Sequence, residues 1–192
     1  EDPQAIVWSA KDQQTNRGIL VRVIRPELVP TSSAPRFREA CRNAAGLSHR
    51  NIARVFGVGR TPRGEHFVAG EWIDGARLSD FIHERENEGE PISLRGIYNV
   101  VAHLCSALSY AHEHGPHGTL RPSVVWVTRG GRVKLHDFGI GQVLLNAAGP
   151  SAFRSTDHAC LAPEVKNGES PTPRSDVFGI GAILYELLTT RT

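Results

Sequence analysis

The sequence predicts an α+β protein, strand-rich in its first third and mainly helical after it. Three patterns carry that expectation. Short apolar runs rich in β-branched residues recur up to Trp72, an apolar stripe at helical spacing runs from Ile92 to His114, and two further apolar runs meet through Gly130-Gly131. The bulk properties agree. The chain has 192 residues, 40% hydrophobic and 22% charged, which is ordinary for a soluble globular protein. No segment approaches the roughly 20 apolar residues that span a bilayer. A net charge of +2, with basic residues scattered and aromatics few, argues against nucleic-acid binding. Cys41, Cys105 and Cys160 are far apart, odd in number and without a C-x-x-C. That pattern argues against a disulfide framework or zinc ribbon and fits a cytoplasmic setting. With no methionine and no charged-then-apolar leader, the chain is expected to be an internal segment without a signal peptide.

Taken in order, Ala5 to Ala10 and Gly18 to Ile24 read as two strands around a polar turn. A helix follows from Ala34 to Leu47, where Phe37, Ala40, Cys41, Ala44 and Ala45 share one face, behind cap candidates Ser32-Ser33 and a first-turn Pro35. Ala53 to Gly59 and His66 to Trp72 read as two more strands, and Ile73-Asp74-Gly75 as a connector. Leu78 to Ile82 begins a short helix, and Glu84 to Glu90 reads as a solvated acidic loop. In the long helix the stripe Ile97, Val100, Val101, Leu104, Ala107, Leu108, Ala111 is a core face. His112, His114 and His117 around Glu113 are not spaced as H-E-x-x-H, and Gly115-Pro116 ends the helix, so no metal site is expected there. Val124 to Val127 and Arg132 to Leu135 form a hairpin through the glycine pair, which enters a φ > 0 turn at little cost.

Around that hairpin the stretch H-G-T-L-R-P-S-V from His117 to Val124, then Asp137-Phe138-Gly139, resembles the catalytic loop and D-F-G of a protein kinase. Further matches are Leu47-Ser48-His49-x-Asn51-Ile52, Ala162-Pro163-Glu164 for A-P-E, and Asp176 to Leu188 for the family's helix F. The resemblance covers almost the whole chain and is greatest to bacterial serine/threonine kinases of the eukaryotic type. It implies a bilobal protein kinase-like fold truncated after helix F, shorter than a complete two-lobed kinase. A β-rich N-lobe would occupy residues 1–72 and a partial helical C-lobe residues 73–192. Residues 140–154 would then be a flexible activation segment. The A-P-E glutamate Glu164 would anchor that segment, its usual arginine partner lying past Thr192, and helix F would expose an apolar face unless something covers it.

The resemblance also assigns roles, and many of the residues depart from them. Arg22 stands at the strand lysine and Leu20 at the small alanine above the adenine ring. Asp2 and Ala5 stand where the glycine-rich loop needs glycines, so the phosphate cradle is expected to be absent. Ala40 occupies the helix position whose acid pairs with the lysine. Glu39 is one residue, or about 100°, away, so it would meet Arg22 only if the helix turned. Gly70 is the gatekeeper, and Glu71-Trp72 enter the hinge. Gly118 replaces the catalytic-loop arginine, Thr119 the aspartate base, Arg121 the lysine and Val124 the second magnesium ligand. Trp126 takes the apolar position below adenine, so Leu20 and Trp126 would line or plug the nucleotide cleft with Gly70 and Glu71. Asp137 would hold metal only if nucleotide binds. His117, Phe138, Gly139, Glu164 and Asp176 keep structural roles. Asp157 aligns with the threonine that bonds the base, so a Thr119–Asp157 hydrogen bond with its ends reversed is expected. Ser151, Ser155 and Thr156 are open to modification, but without the arginine at 118 a standard phosphate switch is not expected.

The reading that follows is a pseudokinase, a protein-binding or regulatory module with no cofactor, a protein partner and no nucleic acid. The alternatives are a weak or atypical ATP-dependent Ser/Thr kinase, using Asp137 for magnesium, Arg22 for phosphate and Asp157 as base, or a nucleotide sensor that does not catalyse.

Overall fold

The computed structural model describes residues 4–189. Asp2, placed above at a glycine of the phosphate loop, lies outside them.

Strands β1 (Ala5–Lys11) and β2 (Gly18–Ile24) pair antiparallel around a turn closed by Asp12, whose carboxylate accepts from the Gln14 N–H and the Thr15 hydroxyl, both at 2.8 Å. β3 (Val55–Arg60) and β4 (His66–Glu71) complete a four-stranded antiparallel sheet of order β1-β2-β4-β3. Alternation along β2 buries Arg22 and Ile24. Its register sets Leu20 opposite Gly70 and Arg22 opposite Val68. Helix α1 (Ala34–Gly46) covers this part with Phe37, Cys41 and Ala44, and Pro35 sits in its first turn. Ser33 is the residue before the helix, yet its hydroxyl donates to the Pro30 carbonyl and makes no cap.

The remainder is mainly helical. The expected connector at residue 75 is in fact strand β5 (Gly75–Arg77), paired with β6 (Val125–Thr128), which pairs in turn with β7 (Val133–Leu135). Gly131 makes the hairpin turn at φ 75°. Helix α2 runs from Leu78 to Glu88, so the acidic stretch is largely helical and not a loop. Glu and Arg suit an exposed helix, and Gly89 stops it at φ 70°. In α3 (Leu94–Ala111) the Ser93 hydroxyl caps the Gly96 N–H at 3.2 Å, and Ile97, Val100, Leu104, Ala107, Leu108 and Ala111 are buried. The two parts join where Ala53 and Leu135 share a backbone bond and Asn51 reaches the Val133 carbonyl at 2.8 Å. Lys134 adds an ion pair with Glu71 at 2.8 Å.

The segment after Asp137-Phe138-Gly139 departs most from the expectation. Residues 140–148 form helix α4 (Ile140–Ala148), not a flexible loop, and Ile140, Leu144 and Leu145 are buried. Ile140, Val143, Leu144 and Ala148 fall at helical spacing on one side, and that stripe packs into the core beside α1. Short 3-10 turns over residues 149–152 and 155–160 lead to α5 (Pro163–Lys166) and α6 (Pro173–Thr189). On α6, Val177, Phe178, Tyr185 and Leu188 are exposed, while Ile183 and Leu187 are buried. No helix among the described residues is long and apolar enough to cross a membrane.

A packed α4 makes a measurable difference. Leu144→Ala is expected to lower unfolding free energy by about 2–5 kcal/mol in urea titration, as for a buried leucine, where a residue in a flexible loop would lose about 0.5 kcal/mol or less.

Candidate functional site

The site is built where β2, the loop 117–124, the β6–β7 hairpin and the start of α4 converge. Asp176 at the start of α6 organises the loop from below. Its carboxylate accepts the backbone N–H groups of His117 and Gly118, each at 2.8 Å, and contacts His112 Nε2 at 2.9 Å. His117 is fully buried with its ring edge-on to Phe138, centroids 4.8 Å apart. Its Nε2–H donates to the His136 carbonyl at 2.8 Å, and Nδ1 accepts from the Thr119 N–H at 3.3 Å. That pair of bonds specifies the neutral imidazole, and burial pulls its pKa down in the same sense, against the pull of Asp176.

Arg22 and Asp137 form a buried ion pair across the cleft, and a second Arg22 nitrogen donates to Gln4 at 3.1 Å. Asp137 is non-glycine at φ 69°, with His136 Nδ1 3.1 Å from its carboxylate. Burial works against ionisation there, but Arg22 and then His136 override it and hold the carboxyl well below the usual range. Glu39, one residue from the expected partner position, is exposed on α1 and does not take up Arg22. Ala40 instead abuts Gly139, 4.0 Å from where a side chain there would begin. Cys41 sits buried on the same helix, its thiol pushed up to about 12 by burial and by the Asp137 charge, with Arg22 opposing.

Thr119, Arg121 and Val124, which stand at the positions of the base, the loop lysine and the second magnesium ligand, are all buried. Thr119 is buried and its hydroxyl has no hydrogen-bond partner. A side-chain carbon at Gly141 would stand 2.2 Å from that hydroxyl, so α4 begins directly against Thr119 because residue 141 is glycine. The reversed Thr119–Asp157 bond is therefore not formed. Asp157 accepts from the Ser123 hydroxyl at 3.0 Å and lies 3.5 Å from Arg121 Nε, a longer and cationic side chain that reaches it first. Arg121 also donates to the Thr119 carbonyl at 2.8 Å and stacks over Phe153 at 4.1 Å. Val124 is buried and offers only its backbone carbonyl, which accepts from the His136 N–H. Leu20, Val68, Gly70, Ile73, Trp126 and Ile140 line a cleft whose free volume is about 90 Å³, with Glu71 at its edge. Farther off, Glu164 accepts from the Ser175 hydroxyl at 2.6 Å, which lowers its pKa. Gln4, Ser123, Gly141 and the α4 stripe belong to the site but were missed. Only the α4 spacing was visible beforehand, and it was read as part of a loop.

Comparison with known proteins fits this geometry. The protein kinase domain profile matches residues 4–192. The chain belongs to the protein kinase family. Among curated kinases it is 35% identical over 191 residues to the serine/threonine-protein kinase PknB of Mycolicibacterium smegmatis, and 34% identical to PknB of Mycobacterium tuberculosis. Each match covers 95% of this chain but 30% of the relative, so this kinase domain segment spans under a third of those proteins. The solved kinase domain of M. tuberculosis PknI superposes with a TM-score of 0.80 at 22% identity, covering 98% of this chain and 68% of that one. At that identity the superposition speaks for the kinase fold, with its sheet-based N-lobe and helical C-lobe.

The cross-cleft ion pair should behave as a buried one. Asp137→Ala is expected to cost about 3–5 kcal/mol by taking from the buried Arg22 the carboxylate charge of Asp137, and Arg22→Met/Asp137→Leu to recover most of it in urea unfolding. Because the native carboxyl titrates below its unfolded value of about 3.9, its stabilisation is complete above that pH and fades as pH falls toward the native pKa. The stability gap between the wild type and Asp137→Asn should accordingly shrink below about pH 4.

Proposed function

We propose that this kinase-fold domain is a pseudokinase, a protein-binding, scaffolding or regulatory module that does not transfer phosphate. The observation that carries the reading is Thr119, at the position of the catalytic base, buried beneath Gly141 with a hydroxyl that bonds nothing. Phosphoryl transfer needs a group to orient the acceptor hydroxyl, ligands for magnesium and a cradle for the phosphates. A threonine hydroxyl takes up no proton at neutral pH, and it is covered here as well.

The residues present do not fit magnesium-ATP. Asp137 commits Oδ1 to Arg22 and has only a buried Oδ2 left over, one oxygen being a weak magnesium site without a second ligand; Val124 has no side-chain ligand atom, and a cleft of about 90 Å³ is well under the roughly 300–1,000 Å³ of ligand pockets. Leu20 and Trp126 both line that cleft, and their bulk takes up space that adenine would need. Arg22, which would bind phosphate in an active kinase, serves as the counter-ion of Asp137. What the fold retains is the Asp176, His117 and Phe138 framework, the part that preserves shape and so a surface for a protein partner.

A second reading is an atypical Ser/Thr protein kinase held in a closed state, favoured by the 35% identity to a protein named as such a kinase. It requires α4 to leave Thr119, Arg22 to leave Asp137, and Asp157 to leave Arg121 and Ser123 before acting as a base. A nucleotide sensor requires only the middle step. Two measurements separate the three. Incubation with radiolabelled ATP, magnesium and casein is expected to give no more labelled product than the Asp137→Ala variant. Magnesium-ATP is expected to leave the melting temperature unchanged. Label incorporation that Asp137→Ala abolishes would establish the kinase and sink the pseudokinase, and a melting shift without incorporation would establish the sensor.

A further inference from the structure

A recess of about 350 Å³ lies where α1, the end of α3 and the start of α4 meet, and it shares no lining residue with the nucleotide cleft. One wall is a single face of α1. Arg36, Glu39, Ala40, Asn43, Ala44 and Leu47 recur at spacings of three and four, so all six line the recess. The other wall comes from His114 and His117 after α3 and from Phe138, Gln142 and Val143 around the start of α4. Room is left because Ala40, Ala44, Ala111, Gly115 and Gly139 of the lining are small. A side-chain carbon at Gly139 would already come within 4.0 Å of Ala40.

The polar groups of this lining say what would occupy it. Arg36 and Glu39 sit one helical turn apart, a spacing at which opposite charges ordinarily pair. Among the described residues neither makes an ion pair or a side-chain hydrogen bond, although both line the recess. Gln142 donates Nε2 to Asn146 at 2.8 Å and leaves Oε1 buried without a donor. A buried acceptor without a partner costs free energy that an incoming N–H would recover. The recess therefore offers a cation to a carboxylate, and an anion and a carbonyl oxygen to an ammonium. Leu47, Phe138 and Val143 supply apolar surface beside them. A ligand of single charge would leave one of the two side chains unused, and a nucleotide would set its phosphates against Glu39. The volume is at the low end of the roughly 300–1,000 Å³ of ligand pockets, as suits a molecule of amino-acid size.

We propose that this recess binds a free α-amino acid with an apolar side chain. Its carboxylate meets Arg36, its ammonium meets Glu39 and Gln142 Oε1, and its side chain lies on Leu47, Phe138 and Val143. The ligand touches α1 and α4 at once, and so holds α4 in the packed position in which Gly141 covers Thr119. Such a site goes beyond the pseudokinase reading, since it adds a small regulatory ligand and requires nothing of phosphate transfer.

The test titrates the chain by isothermal calorimetry with L-phenylalanine, phenethylamine and 3-phenylpropionate. The second probe keeps the ring and loses the carboxylate, and the third loses the ammonium. Phenylalanine is expected to bind saturably, and both analogues about tenfold more weakly. Saturating phenylalanine should also raise the melting temperature, as a ligand of the folded state does. Arg36→Gln should lower phenylalanine affinity about tenfold and leave that of phenethylamine unchanged. Glu39→Gln should lower phenylalanine affinity by a similar factor, with 3-phenylpropionate as the unchanged probe. Both residues are exposed and glutamine is a good helix former, so the fold persists, which an unchanged melting temperature without ligand verifies. Three results would each overturn the site: no saturable heat with phenylalanine up to about 10 mM, enough to detect a millimolar Kd; an analogue that binds as tightly as phenylalanine; or phenylalanine affinity unmoved by either substitution. No nucleotide enters these titrations, so their failure leaves the pseudokinase reading standing, and label incorporation from ATP would remove that reading without touching the site.

Discussion

The ion pair between Arg22 and Asp137 ties together more of the molecule than any other contact in the cleft. Arg22 belongs to the sheet and Asp137 to the loop after the hairpin, so the pair bridges the parts that a nucleotide would hold together in an active kinase. Two charges withdrawn from water are costly unless each finds a partner at close range. Here each does, and Gln4 and His136 add polar contacts. With the Asp137 backbone at φ 69°, the next residues turn at once into α4, which lies against α1.

That local turn explains why α1 carries no acid toward the cleft. In a kinase that transfers phosphate, a helix glutamate keeps the strand cation available. Here the cation is satisfied from the other side, and the α1 positions facing the junction are small or apolar, Ala40 against Gly139 and Cys41 in the core. Burial of a glutamate at either place would leave a carboxylate competing with Asp137 for one guanidinium. Thr119 follows the same logic. Covered by Gly141, it packs where a larger, charged side chain would have to be withdrawn from water.

The lower framework is governed by a different constraint, satisfaction of backbone donors. Asp176 accepts two adjacent N–H groups and one histidine, and the neutral His117 passes one hydrogen bond forward to His136 and receives one from Thr119. These bonds depend on loop shape and not on catalysis. A chain can therefore lose its base and its metal ligand while keeping this loop, as the contrast between Thr119 or Val124 and Asp176 illustrates. The acidic helix α2 and its apolar neighbour belong to a third region, independent of both.

The strands, the long helix and the hairpin were legible in the sequence because period-two and period-3.6 apolar patterns and turn glycines are local properties, whereas the positions of Arg22, Thr119, Val124, Asp137 and Asp176 were legible only through the resemblance to protein kinase motifs. The α4 stripe was equally local, but Ile140, Val143, Leu144 and Ala148 gain their burial only from α1 and the core, so the pattern meant nothing until a partner surface was in place. The helical state of the acidic stretch was lost for a similar reason, since polar residues show no period. The choice of partners belongs to the tertiary structure. Whether Arg22 meets Glu39 or Asp137, and whether Asp157 meets Thr119 or Arg121 and Ser123, turns on a helix rotation and on side-chain reach across more than thirty residues of chain. Local patterns assign each residue to an element and a face. Only the packing of those elements brings charges within the few ångströms over which a buried pair is stable.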